Sequence, residues 1–127
     1  YKDGVVIIFK IIQLATKIGK ITKSKKNDCH INQILTTKNN GSASKIIKIF
    51  FNYISLLPYT SGKVFLNVRT DNYRAIKFYE RNGMKLIDKT SWNNGEIQGH
   101  IYQIILKQFN NQNLDYLLPS LDPNKFV

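Results

Sequence analysis

The stretch LNVRTDNYRAIKFYERNGM, residues 66–84, predicts a strand followed at once by a short helix. The strand extends back to Lys63, and its apolar residues fall on both faces, which predicts an interior position in a sheet. Asp71 or Asn72 can cap the helix at its start. Gly83 stands where helices commonly end in a left-handed residue. Between these two signals, the apolar face of the helix is formed by Ala75, Ile76 and Tyr79.

Upstream of this stretch, the sequence predicts a strand, a loop of small residues and a longer helix. Residues 30–35 are the strand candidate, and they run into TTKNNGSAS. Apolar residues at helical spacing then extend over residues 45–57, and Pro58 ends the helix because proline cannot continue the hydrogen-bond ladder. A helix entered through a small-residue loop presents free backbone N–H groups and the positive end of its dipole. Such a site binds phosphate, although ordinary capping by serines explains the same residues.

The remaining strands are predicted on both sides of this central part. Residues 4–12 and 17–25 predict two strands paired as a hairpin, with a turn over residues 23–28. Residues 84–88 and 100–107 predict two more, joined by a turn at Asn93-Asn94-Gly95. The final twenty residues are rich in Asn, Pro and Leu and predict an extension of the domain.

Composition limits the class of protein. At 127 residues, with 43% hydrophobic and 21% charged residues, the chain predicts one globular domain. The net charge of +11 is compatible with nucleic-acid binding, but it comes mostly from scattered lysines, with only three arginines. The single cysteine, Cys29, allows no intramolecular disulfide and favours an intracellular, cytoplasmic location. No apolar run is long enough to span a membrane.

Residues 66–84 resemble a motif of the GNAT superfamily of acetyl-CoA-dependent N-acetyltransferases. The family pattern is L-x-V-x-x-x-N followed by x-x-A-[ILV]-x-x-Y-x-x-x-G-[FM]. The positions that agree, without a gap, are Leu66, Val68, Asn72, Ala75, Ile76, Tyr79, Gly83 and Met84.

A second family motif, [QR]-x-x-G-x-[GA], is similar to the run from Lys38 to Ala43, KNNGSA. Lysine takes the first place and lacks the forked geometry of arginine. The loop is also shorter than is usual in the family. The helices that normally precede the first strands are absent or lie upstream of Tyr1, so the chain resembles a truncated or divergent member.

The resemblance implies an α+β fold, of α/β three-layer-like appearance, namely the GNAT-type acyl-CoA N-acyltransferase fold. Its mixed, mostly antiparallel sheet is flanked by helices and contains a central pair of splayed strands. We expect a single domain over residues 1–107, without the usual N-terminal helices, and a C-terminal extension over residues 108–127.

The resemblance also implies a chemistry. Acetyl-CoA would serve as co-substrate, without a metal, and its acetyl group would move to a primary amine by direct transfer in a ternary complex. Tyr79 would be the general acid for the CoA thiolate, although a core tyrosine is the alternative interpretation. A backbone N–H near Ile34 or Leu35 would stabilise the oxyanion, and Asn72 would bind the cofactor arm, cap the helix, or both. The cofactor-binding residues implied are Ile34, Leu35, Lys38, Gly41, Ser42, Ala43, Ser44, Asn72, Ala75 and Tyr79.

The general base and the acceptor are not specified by the sequence. His30 and Asp28 are titratable residues near the strand before the loop, but a lone strand histidine is more often structural. Cys29 and His30 are neighbours on a strand and therefore point to opposite faces, which argues against a nucleophilic cysteine.

The sequence is compatible with several classes of partner. The acceptor could be a small-molecule amine, a peptide N-terminus or a lysine, and a homodimer is left open. Neither a membrane nor a specific nucleic acid is expected as a partner. The alternatives to an active enzyme are a catalytically silent module that binds an acyl-CoA or a protein, and a basic nucleic-acid-binding domain.

Overall fold

A computed structural model describes residues 5–36 and 42–106. No helix in this described part is long and apolar enough to cross a membrane. The helices and strands that it contains are β1 Val5–Ile11, β2 Thr16–Lys17, β3 Lys23–Ser24, β4 Cys29–Thr36, α1 Ser42–Leu56, β5 Lys63–Arg69, α2 Tyr73–Arg81, β6 Lys85–Trp92 and β7 Ile97–Ile105.

Five of the strands form one mixed sheet in the order β1-β4-β5-β7-β6. The pairs β1–β4, β5–β7 and β6–β7 are antiparallel, and β4–β5 is parallel, because α1 carries the chain back to start β5 in the same direction. This mostly antiparallel sheet with two helices confirms the predicted fold class.

The two central strands separate after a short paired segment. β4 has eight residues and β5 has seven, yet they pair at only three positions, Cys29 with Val64, His30 with Phe65 and Ile31 with Leu66. Beyond Ile31 and Leu66 the strands diverge toward their carboxyl ends. The sheet therefore contains the predicted splayed pair, and the gap opens at the end where α1 begins.

A bulge in β4 coincides with the start of this gap. Along β1, the partner of Ile8 is Gln33 and the partner of Phe9 is Ile31, so Asn32 is an extra residue in β4. An inserted residue bends a strand and shifts its side-chain alternation by one. Ile31 accordingly lies in the core, and the next core-facing residue is Ile34 instead of Gln33.

Both helices cover the same face of the sheet. Alternate residues of β5 and the apolar side of α1 form one buried cluster, and residues of α2 pack against it. A hydrogen bond of 3.3 Å from Asn82 Nδ2 to Ser44 Oγ joins the end of α2 to the first turn of α1. The buried members of this core are Cys29, Ile31, Ile47, Phe50, Phe51, Ile54, Val64, Leu66, Val68, Met84 and Tyr102.

The segment between β1 and β4 crosses the sheet on the opposite face. It starts at the β1 edge, and its backbone reaches β6 at the other edge, where Lys20 N–H donates to Lys89 O at 2.9 Å. Asp88 binds the same segment through its side chain and pairs with Ile101. Tyr102 faces the core beneath the helices, so its neighbour Ile101 faces the opposite side of the sheet. Asp88 shares the face of its partner Ile101, and the segment that it binds therefore lies on the side away from the helices.

The prediction that residues 4–12 pair with residues 17–25 is wrong. β1 pairs with β4, and residues 17–25 form most of a small separate hairpin, in which β2 pairs with β3. The predicted turn over residues 23–28 is wrong at its start, because Lys23 and Ser24 form β3. Short polar strands give no sequence signal for their partner, since the partner is chosen by contacts with the sheet.

Candidate active site

The first turn of α1 follows the end of β4, at which β4 and β5 have already separated. α1 begins at Ser42, and Ala43 and Ser44 are half-buried in its first turn, which contains no acidic residue. The N-terminal end of a 15-residue helix carries free N–H groups and a partial positive charge. Small side chains here leave the helix N-terminus open to an anion.

Tyr79 lies in the last part of α2, and its side chain is half-buried against the core. Its ring stands edge-on to Phe78, with centroids 5.8 Å apart, and lies 6.3 Å from the ring of Tyr102. Burial raises the pKa of the Tyr79 phenol above its usual value. The phenol is therefore protonated at neutral pH and is available as a proton donor.

The two helices bring these features together. Asn82 follows Tyr79 by three residues, about one helical turn, so the two side chains lie on nearly the same side of α2. Its side chain donates to Ser44 Oγ at 3.3 Å and to Phe78 O at 2.9 Å. The first turn of α1 is thereby held about one helical turn from Tyr79. The sequence does not reveal this link, since the two residues are 38 positions apart.

The other predicted cofactor-binding residues that the structure describes lie in α2, at its N-cap and in β4. Asn72 is the N-cap of α2, where its side chain accepts from Ala75 N at 3.3 Å. Ala75 packs against the core, and Ile34 does the same from β4. Leu35 is 46% exposed on the opposite face of β4. The predicted ligands Lys38 and Gly41 lie outside the described residues.

His30 sits at the point where β4 and β5 part. Its ring Nε2 lies 3.5 Å from Asn67 Oδ1 of β5, and Nδ1 lies 3.0 Å from the side-chain oxygen of the bulge residue Asn32. The ring therefore spans the two strands on the face away from the helices. Cys29 points the other way and is fully buried.

Cys29 and Asp28 are both buried, and their surroundings indicate structural roles. Burial, with a smaller effect from the Asp28 carboxylate, raises the pKa of the Cys29 thiol to about 12, which removes it as a nucleophile at neutral pH. Asp28 is itself 2% exposed, and it accepts from Lys25 N at 2.8 Å and Ser61 Oγ at 2.5 Å. These bonds tie the start of β4 to the segment before β5. Among the described residues, no cluster of acidic, histidine or cysteine side chains could hold a metal ion.

Three solved structures are similar to this chain in fold. The chain matches the ribosomal-protein-S18-alanine N-acetyltransferase of Escherichia coli at 12% identity, covering 85% of this chain and 64% of that chain with a TM-score of 0.60. It matches Chaetomium thermophilum Naa20 in complex with a bisubstrate analogue at 14% identity, 82% and 60% coverage and a TM-score of 0.63. A GNAT-family acetyltransferase from Streptococcus pneumoniae matches at 15% identity, 80% and 58% coverage and a TM-score of 0.56.

The chain has the GNAT fold. No protein-family model and no curated protein sequence matches it, so the likeness rests on three-dimensional structure. The chain spans between 58% and 64% of the length of these three GNAT structures.

Proposed function

We propose that the chain is an acetyl-CoA-dependent N-acetyltransferase that transfers an acetyl group to a primary amine. The observation that carries this proposal is the three-residue pairing of β4 and β5. β4 leads toward the N-terminal end of α1 and β5 leads into α2, which carries Tyr79, so both helices start near the end of the sheet where the strands separate. The likeness in fold to solved N-acetyltransferases supports the same function.

The residues at the gap suit the proposed cofactor in several ways. The pyrophosphate would lie at the N-terminal end of α1, beside Ala43 and Ser44, where backbone N–H groups and the helix dipole favour an anion. The predicted ligands Lys38, Gly41 and Ser42 precede these residues in the sequence and would contribute to the same anion site. Ile34 and Leu35 pair with β1 but not with β5, and the backbone groups of successive strand residues point to opposite sides. Those of one of the two residues would therefore face the gap and be free to bind the cofactor arm.

The chemistry requires a proton donor and a dry environment. Acetyl-CoA would supply an activated acyl group as a thioester, and the acceptor amine would attack its carbonyl carbon. Tyr79 would then donate its proton to the departing thiolate as the C–S bond breaks, and it would recover, through solvent, the proton that the acylated nitrogen releases. Tyr79 keeps its proton at neutral pH, as a general acid must, and burial, which raises its pKa, makes it a weaker acid than a free phenol. Asn72, already the helix cap, would place the start of α2 against the cofactor arm.

The substitution Tyr79→Phe tests this proposal, with Tyr102→Phe as the matched control. Both remove one phenolic hydroxyl from the same cluster, but the Tyr102 hydroxyl donates to Glu80 Oε2 at 3.1 Å and has no proposed part in the reaction. We expect Tyr79→Phe to lower kcat by about 100-fold with little change in acetyl-CoA affinity, since general acids contribute factors of this size. Tyr102→Phe should retain most activity and lose on the order of 1 kcal/mol of stability.

The assay measures CoA release from acetyl-CoA with a panel of small amines, peptides with free N-termini and peptides containing lysine. Calorimetry measures cofactor binding separately. Equal kcat values for the wild type and Tyr79→Phe would remove the acid role. Binding of acetyl-CoA without release of CoA on any acceptor would identify an acyl-CoA-binding module instead of an enzyme.

A further inference from the structure

The β2–β3 hairpin carries a dense group of positive charges. Over residues 4–27 the sequence contains no aspartate or glutamate. The only salt bridge among the described residues is between Arg69 and Asp71, so the hairpin lysines have no salt-bridge partner there. Five lysines within ten residues are exposed, namely Lys17, Lys20, Lys23, Lys25 and Lys26.

Two of these lysines face each other directly. Lys17 of β2 is the cross-strand partner of Lys23 of β3. Paired residues project from the same face of a hairpin, and like charges placed opposite one another destabilise the pair. An anionic surface that contacts both side chains would relieve this repulsion.

The same hairpin exposes two aliphatic side chains. Leu14, just before β2, is 80% exposed, and Ile21, in the turn between the strands, is 86% exposed. They are the two most exposed large hydrophobic residues that the structure describes. Single-stranded nucleic acid is commonly bound by aromatic stacking, and phosphate by arginine forks, but residues 13–28 contain neither aromatic residues nor arginine. Lysines around exposed aliphatic groups instead suit a bilayer with anionic headgroups.

The hairpin is also held firmly on the sheet. Asp88 Oδ2 accepts from the backbone N–H groups of Ile21 and Thr22 at 2.9 and 2.8 Å, and Lys20 N–H donates to Lys89 O. Gly19 lies so close to Asp88 that a side chain at this position would collide with the carboxylate. The turn that carries Ile21 therefore has a fixed conformation, and little ordering entropy is lost when the hairpin binds a partner.

We propose that the β2–β3 hairpin is a peripheral membrane-binding surface, which docks on bilayers that contain anionic phospholipids. The lysines bind the headgroups, and Leu14 and Ile21 enter the boundary between headgroups and acyl chains. This differs from the sequence-based expectation that no membrane is a partner. That expectation considered only spanning segments, whereas the pairing of Lys17 with Lys23 and the exposure of Ile21 are visible only in the folded chain. The surface is independent of the proposed acetyl transfer.

Co-sedimentation of the full chain with vesicles tests the proposal. The vesicles are pure phosphatidylcholine, or phosphatidylcholine with about 30% phosphatidylserine. The test variant Lys17→Gln/Lys23→Gln and the control Lys48→Gln/Lys77→Gln both lower the net charge from +11 to +9. The control lysines are exposed on α1 and α2, on the other side of the sheet. Each lysine near an anionic membrane contributes roughly fivefold in binding, so the hairpin variant should bind about 25-fold more weakly.

A second variant separates insertion from charge. Leu14→Ser/Ile21→Ser leaves every lysine in place and should weaken binding to phosphatidylserine vesicles on the order of tenfold. We expect no binding to pure phosphatidylcholine and nearly wild-type binding by the helix control.

Three results would overturn the proposal. The first is an absence of binding to phosphatidylserine vesicles by the wild type. The second is an equal loss in the hairpin variant and the helix control, which would mean that net charge alone is responsible. The third combines two observations: equimolar single-stranded RNA displaces the protein from vesicles, and Leu14→Ser/Ile21→Ser binds the vesicles as well as the wild type does. Together they would identify a nucleic-acid surface.

Discussion

Replacing Gly19 with alanine tests how the hairpin is attached to the sheet. A Cβ atom at Gly19 would collide with Asp88 Oδ2 and lie 2.8 Å from Asp88 Cγ and 3.1 Å from Lys89 O. Gly19 is not among the glycines of the described chain with positive φ, so its backbone conformation suits alanine. Any effect of the substitution therefore comes from the collision and not from backbone strain.

The size of the effect follows from the bonds that the carboxylate must give up. To avoid the new methyl group, Asp88 has to turn away from the backbone N–H groups of Ile21 and Thr22. A hydrogen bond to a charged acceptor contributes about 1.5–3 kcal/mol, and we take about 1 kcal/mol for each because water reaches this side chain. Alanine also restricts the unfolded chain, which returns about 0.5 kcal/mol. The expected loss is about 1.5 kcal/mol in the free energy of unfolding.

A double-mutant cycle measured by urea denaturation isolates this interaction. Asp88→Ala removes the same two hydrogen bonds and should cost about 2 kcal/mol. In the Asp88→Ala background the methyl group at position 19 meets no carboxylate, so Gly19→Ala should add no cost and should return the same gain of about 0.5 kcal/mol. The coupling between the two changes should then be about 2 kcal/mol. Strictly additive costs would refute the proposed contact, as would unchanged hydrogen exchange at the Ile21 and Thr22 amides in Gly19→Ala.

Three further predictions concern the cofactor site, acid stability and the thiol. Ala43→Glu should weaken acetyl-CoA binding by about tenfold or more, since it adds bulk and negative charge in the first turn of α1. The control Asn52→Glu changes an exposed residue near the other end of that helix and should leave binding unchanged. Calorimetry compares the affinities of the two variants. Desolvation acts to raise the pKa of Asp88, but its hydrogen bonds outweigh this and lower the pKa to about 2. The stabilisation by Asp88 is therefore present above about pH 4 and is lost as the pH falls through 2, so the difference in urea stability between the wild type and Asp88→Ala should shrink over that window. Cys29, with a pKa raised to about 12, should not react with a thiol reagent at pH 8 unless the protein is unfolded in urea, and rapid labelling of the native protein would contradict its burial.

Elements with strong local signals could be predicted from the sequence. Strand β5 occupies the predicted residues 63–69, Asn72 caps α2 as expected, and Gly83 has the predicted left-handed conformation, with a φ of 94°. The same holds for the turn at Asn93-Asn94-Gly95, in which all three residues have positive φ. In each case the conformation is determined by residues within a few positions along the chain.

Features that depend on distant contacts could not be predicted. Nothing in the polar segment after β1 indicates that its turn binds Asp88, which is 66 positions beyond Thr22. The bond between Asn82 and Ser44, which positions the candidate site, is equally invisible. The bulge in β4, in contrast, has a signal in the sequence. The apolar residues Cys29, Ile31 and Ile34 break the two-residue alternation of a strand, which is what an inserted residue produces.

Because of the bulge at Asn32, the width of the candidate site depends on the number of residues in β4. Substitutions along β4 alter which groups line the space between the strands, but each of them leaves the same number of residues between Ile31 and Ile34. We expect that shortening β4 by one residue would restore the regular alternation of its side chains and lengthen its pairing with β5. A chain with very different side chains around this space would therefore keep its shape, provided that it keeps the extra residue.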